Sequence, residues 1–128
     1  MSEPAGRDTA KGIQAYQEHT VTTQSRGRLI VLLYDGAIKF LRQALAAIDR
    51  GDDGEKGKMI IRAMAIIDEL AACLNLEDGG EIARNFQSLY DFMHRHLFEA
   101  NLHRDKQKVQ DVILLLEELN EAWRAIAG

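Results

Sequence analysis

The chain has 128 residues, 46% of them hydrophobic and 28% charged, with a formal net charge of −4. That size supports one domain with a real core and needs neither disulfides nor metal, and the composition excludes a disordered chain. The acidic balance and the interleaving of bases with acids weigh against nucleic-acid binding, which needs a concentrated positive face.

Residues 1–24 carry only scattered apolar side chains, chiefly Ile13, Tyr16 and Val21, and hold the single proline, Pro4. They read as a flexible N-terminal arm outside the core, and MSEPAGRDTA at the start lacks the apolar stretch of a signal peptide. Beyond Pro4 no residue is barred from helix by a missing N–H. Residues 25–128 therefore read as an all-α domain.

Ser25 is the expected N-cap of the first helix, which runs to about Arg50 with Ile30, Tyr34, Ala37, Leu41, Ala44 and Ile48 on one seam. The run LIVLLYDGAIKFL, residues 29–41, carries more apolar surface than that seam uses. Leu29, Leu32 and Phe40 fall on a flank beside Gly36, whose missing side chain admits a close neighbour. RGDDG breaks this helix, and the second carries Ile60, Ala63, Ile67, Leu70 and Leu74 inward. Met59, Ile66 and Cys73 repeat every seven residues along its flank. Gly79 and Gly80 are expected to close this second helix.

The third helix is expected to bury Ile82, Phe86, Leu89, Met93, Leu97 and Ala100, leaving Phe98 on its polar side. Asp105 is the expected cap of a fourth, with Val109, Val112, Leu116, Leu119, Trp123 and Ile126 inward and Leu114 among the glutamates. Four helices of about 22 residues, each about 33 Å long, joined by short loops, make an antiparallel up-down-up-down bundle. Surplus apolar flanks fit a partner groove, a broad core or a homodimer surface, and periodicity alone leaves all three open.

Residues that look chemical have plainer readings. Asp91 and His94 have the spacing of a di-metal carboxylate bundle, but that chemistry needs a second such pair and two further acids facing inward. His94 and His96 are about 200° apart around their helix and cannot share one ion. His96, near the seam, reads as a hydrogen-bonded residue of the core edge. Gly79-Gly80-Glu81 lacks the Lys and Ser/Thr of a phosphate loop, and the lone Cys73 has no cation on its face. No catalytic residue, metal or cofactor is expected, and no apolar run reaches the roughly 18 residues of a membrane span.

Several stretches in collinear order, from about Gly12 to Ile126, resemble the flagellin-specific export chaperone family of bacterial flagella, FliS. They are GIQAY at 12–16, LIVLLYDGAIKFL at 29–41, IIRAMAIIDEL at 60–70, LEDGGEIARNFQSLYDFMHRHLFEAN at 76–101 and LLLEELNEAW at 114–123. The resemblance implies a cytoplasmic helical bundle that binds the disordered C-terminal segment of flagellin in apolar grooves. By holding that segment it prevents premature polymerisation and delivers the subunit to the flagellar type III export apparatus. The arm can cover part of this surface when no client is bound. Joined to the flank pattern, this places the flagellin segment over Leu29, Leu33, Gly36, Phe40, Met59, Ile66 and Cys73. The resemblance also assigns Ile13 and Tyr16 to docking on the cytoplasmic domain of the export gate protein. One departure is Ser25-Arg26, where the family commonly has Ser-Pro. The competing readings are a helical adaptor acting as a homodimer and a di-metal carboxylate enzyme on the same bundle.

Overall fold

The computed structural model describes the backbone of residues 23–74 and 76–127, and the side chains of residues 26–74 and 79–125. Four helices follow in order: α1, Thr23–Asp49; α2, Asp53–Ala72; α3, Leu76–His103; and α4, Lys106–Ala127. Each packs against its chain neighbours and α1 also packs on α4, so the helices close a ring with α1 and α3 on one diagonal. The antiparallel four-helix bundle expected from the periodicity is the fold.

Helix ends follow local chemistry. At the α1 terminus Gly51 has φ +74°, and the N–H of Asp52 reaches the carbonyl of Ala47 at 2.9 Å while that of Gly51 reaches Ile48 at 3.1 Å. This pair of bonds satisfies the last carbonyls, and the positive φ suits glycine. Asp52 then caps α2, its Oδ1 accepting from the Glu55 N–H at 3.0 Å. The turn between α3 and α4 repeats the arrangement with Arg104 at φ +53° and the Asp105 N–H bonded to the Ala100 carbonyl at 3.0 Å. Asp105 is the cap of α4, as expected, accepting from the Lys108 N–H at 3.2 Å.

Two boundaries differ from the sequence expectation. Helix α1 already includes Thr23 and Gln24, so Ser25 lies inside it and is not its N-cap. Helix α2 ends at Ala72 and not at the glycines: the Cys73 N–H is shared by the carbonyls of Glu69 and Leu70, and Leu74 bonds back to Ala71 at 3.1 Å. This tightening of the last turn closes a helix without glycine. Gly80, at φ +57° and ψ −135°, instead kinks α3 after a single opening turn.

The core is built on Tyr34, Leu41, Ile60, Ile67, Met93, Leu97, Val109, Val112 and Leu116, all buried. On α1 the buried seam passes through Gly27 and Val31, with Ile30 only half-buried. On α3 it runs through Ala83, Tyr90, Met93, Leu97 and Ala100, while Ile82 is 70% exposed and Leu89 half-buried. Alternating steps of three and four from Ala83 select Tyr90, whose hydroxyl has a partner inside the core. Cross-links between neighbours run antiparallel. Asp49 pairs with Lys106, Arg42 with Glu117 and Asp35 with Arg124 between α1 and α4, while Glu99 pairs with Lys108 between α3 and α4.

Candidate client-binding surface

Helices α1 and α2 leave an apolar strip along their outer seam. A Cβ placed on Gly36 would lie 3.3 Å from Ile66 Cδ1, so the α2 side chain fills the space that the glycine leaves. One turn further along, the guanidinium of Arg62 sits 5.7 Å from the centre of the Phe40 ring, a cation over an aromatic face. The same antiparallel register, continued seven residues in the other direction on both helices, brings Leu29 level with Cys73. Leu29 is 55% exposed and Leu32 beside it 65%, whereas Leu33, Gly36, Phe40 and Ile66 are half-buried.

The strip opens at the end of the bundle into a pocket of about 230 Å³ formed by all four helices. Ile30, Leu70, Cys73, Leu74, Ile82 and Ala83 make its walls, and Phe86, Tyr90 and Trp123 are the aromatic lining. Phe86 packs at 6.0 Å from Tyr90 and 5.9 Å from Trp123, centre to centre, in tilted geometry. Beneath them the Tyr34 and Tyr90 hydroxyls share a hydrogen bond of 2.5 Å. Burial pushes both phenols up from their ordinary values, so they stay neutral hydrogen-bonding groups and place no charge under the pocket. The lining is almost wholly apolar, which suits an apolar side chain and offers nothing for acid–base work.

Of the residues expected on the client flank, the structure aligns Leu29, Leu33, Gly36, Phe40 and Ile66 on the strip and puts Cys73 in the pocket wall. Met59 is corrected: it is 3% exposed and belongs to the core cluster. A repeat of seven falls about 20° short of two full turns in a straight helix, so the stripe through Cys73 and Ile66 drifts inward by the time it reaches Met59. Sequence reasoning missed the pocket residues Phe86 and Trp123, assigned wholly to the core, and Ile82, whose exposure was hidden by the wrong choice of seam. Phe98 and Leu114 are exposed as expected, at 60% and 59%. Ile13 and Tyr16 lie outside the described residues.

The residues that look chemical are engaged structurally. Asp91 accepts from Gln87 at 3.0 Å, and His94 Nε2 faces Asp68 at 3.5 Å. His96 is at the core edge, 3.1 Å from Asp111 and stacked on Phe92 at 4.6 Å. The Gln107 amide and His96 hold the Asp111 carboxyl below the ordinary range. Among the described residues no three His, Cys, Asp or Glu side chains are placed to hold a metal ion, and no helix is long and apolar enough to cross a membrane.

Residues 9–128 match the profile of the family described as Flagellar protein FliS. The chain is 43% identical over 124 residues to the flagellar secretion chaperone FliS of Salmonella typhimurium, covering 93% of this chain and 92% of that protein. It is 39% identical to the Vibrio cholerae protein of the same name, covering 89% and 87% of the two chains, and 34% identical to that of Bacillus subtilis, covering 86% and 81%. With the profile spanning the whole bundle and each of these relatives covered over four-fifths or more of its length, the chain belongs to the FliS family of flagellar proteins, whose named relatives are secretion chaperones.

Proposed function

We infer that the protein is an export chaperone for flagellin, acting in the cytoplasm without catalysis or cofactor. Its client is the disordered C-terminal segment of flagellin, which folds into helix on the α1/α2 strip and inserts side chains into the end pocket. Held there, the segment is kept from polymerising, and the loaded complex is handed to the flagellar type III export apparatus. The arm residues Ile13 and Tyr16 dock the complex on the cytoplasmic domain of the export gate protein.

What supports this reading is the row of half-buried and exposed apolar residues on α1, Phe40, Gly36, Leu33 and Leu29, running toward the end pocket lined by Ile30, Phe86 and Trp123. Fully covering one large aliphatic side chain contributes roughly 1.5–3 kcal/mol. Ordering a disordered segment costs roughly 2–5 kcal/mol or more, so a single contact is not enough and a continuous strip is. An amphipathic helix in an apolar groove is the recognition mode that such a strip fits.

The test is a calorimetric titration of a flagellin C-terminal peptide into Leu29→Asp and Leu33→Asp variants. The expected result is a loss of affinity of at least tenfold with an unchanged helical spectrum. Undiminished affinity would reject the α1/α2 strip as the client site.

A further inference from the structure

A second uncovered apolar surface lies on the opposite flank of α2, where it meets α3. Ile61 is 60% exposed, Phe98 60% and Leu102 66%. Ile61 stands about 140° around α2 from Ile66, which belongs to the α1 side. The level of these residues follows from the cross-links between the two helices. Asp68 meets His94 at 3.5 Å, and Asp53 holds Arg104 through two bonds of 2.8 and 2.6 Å. Ile61 lies two turns below Asp68 on the same stripe of α2, while Phe98 and Leu102 continue the stripe of His94 on α3. The three side chains thus form one saddle, bounded at one end by the Asp53–Arg104 ion pair and at the other by Asp68 facing His94. Asp53 and Asp68 are fifteen residues apart along α2, a span of about 22 Å or four helical turns.

The middle of this saddle is flanked by cations, against the sign of the whole molecule. Lys58 on α2 and Arg95 on α3 flank it, both exposed and neither in an ion pair among the described residues. Of the nearby acids, Asp53 and Glu99 are paired with Arg104 and Lys108, Asp68 faces the His94 ring, and Asp91, one turn before His94, accepts from Gln87. In a chain of net charge −4, two unmatched cations beside three uncovered apolar side chains are complementary to one chemistry.

We propose that the α2/α3 saddle is a second docking surface, for an acidic amphipathic helix of about four turns contributed by a protein other than the client. Apolar residues at spacings of three and four cover Ile61, Phe98 and Leu102, and carboxylates on either side meet Lys58 and Arg95. Because the client strip uses the far side of α2, both surfaces can be filled at once.

The probe is a synthetic 15-residue helical peptide with Leu at spacings of three and four and Glu elsewhere, beside a control with Lys in place of Glu. Fluorescence anisotropy with the full chain should show the Glu peptide binding at least tenfold more tightly than the Lys peptide. Lys58→Glu with Arg95→Glu should reverse that preference, and Phe98→Ser with Leu102→Ser should weaken binding at least tenfold. Amide shifts should map to residues 58–68 and 94–102 and persist with saturating flagellin C-terminal peptide. Four results would overturn the proposal: no binding, equal binding of both peptides, displacement by the flagellin peptide, or self-association of the free chain that Phe98→Ser abolishes in light scattering.

Discussion

The hydroxyls of Tyr34 and Tyr90 meet at 2.5 Å across the diagonal of the bundle, joining α1 to α3, whose backbones lie too far apart for close packing. Both side chains are buried, Tyr34 completely and Tyr90 to 3% exposure. The Trp123 indole N–H comes towards Tyr34 without closing a hydrogen bond. Replacing either tyrosine by Phe leaves the other hydroxyl unsatisfied in the core, with an expected cost of about 1–3 kcal/mol. The double variant Tyr34→Phe/Tyr90→Phe removes both polar atoms and should cost less than the sum of the two. Urea unfolding of the four proteins measures the coupling, and strict additivity would show that the bond contributes nothing.

The glycines give opposite outcomes. In Gly36→Ala the new methyl meets the far end of the Ile66 side chain at 3.3 Å, which can yield, and a mid-helix glycine is removed. Stability should hold or rise by up to about 1 kcal/mol, while the filled strip binds flagellin peptide less tightly. Gly80→Ala meets no atoms, but the residue sits at φ +57°, so a loss of about 1–2 kcal/mol is expected. In Gly79→Ala a methyl would lie 2.6 Å from the Ala83 Cβ, and the opening turn of α3 must unwind. Thermal melts order the three variants.

Acid should loosen the contacts that α3 and the turn after it make with α2 and α4, through one carboxylate on each of the three helices. Arg104 holds Asp53 below the ordinary range, Lys108 does so for Glu99, and Gln107 and His96 do so for Asp111. A carboxylate depressed in the folded state contributes stability above its unfolded pKa near 4 that is lost as pH falls through the folded value. The melting temperature should therefore be level above about pH 5 and drop below about pH 4. Asp111→Asn should flatten part of that decline, and an unchanged profile would assign the acid sensitivity elsewhere.

Leucines separate by burial. Leu41→Ala and Leu97→Ala remove side chains with no exposed surface and should each cost about 2–5 kcal/mol. Leu32→Ala and Leu114→Ala, at 65% and 59% exposure, should stay within about 0.5 kcal/mol. Denaturant midpoints distinguish the two pairs.

The α2 seam and the α4 seam from Val109 to Leu116 were legible because alternating spacing on one helix depends only on the backbone period, while the side chain of Ile126 lies outside the described residues. The α3 seam was misread at its start because Ile82 outranks Ala83 and Tyr90 on hydrophobicity alone. Its kink at Gly80 leaves Ile82 at a rim, where a neighbouring helix no longer covers it. Leu29, Phe40 and Ile66 could be assigned to flanks from sequence, but their alignment depends on the stagger of α1 against α2. The end pocket was not legible because four separate helices supply its walls. Met59 shows the limit of a heptad count, since the drift of the stripe decides which side of the rim a residue occupies.

The turns after α1 and α3 share one end of the bundle, fastened by Asp53–Arg104 and by Lys106–Asp49 at 2.8 Å, while Lys56 Nζ donates to the Asn101 carbonyl at 2.7 Å. The other end has a one-turn start to α3, a glycine kink and the hollow under Phe86. Amide exchange should consequently form a gradient along the long axis, slow at the riveted end and fast at the hollow one. A ligand seated in that hollow reinforces the weakest section of the barrel, so loading should slow exchange there most.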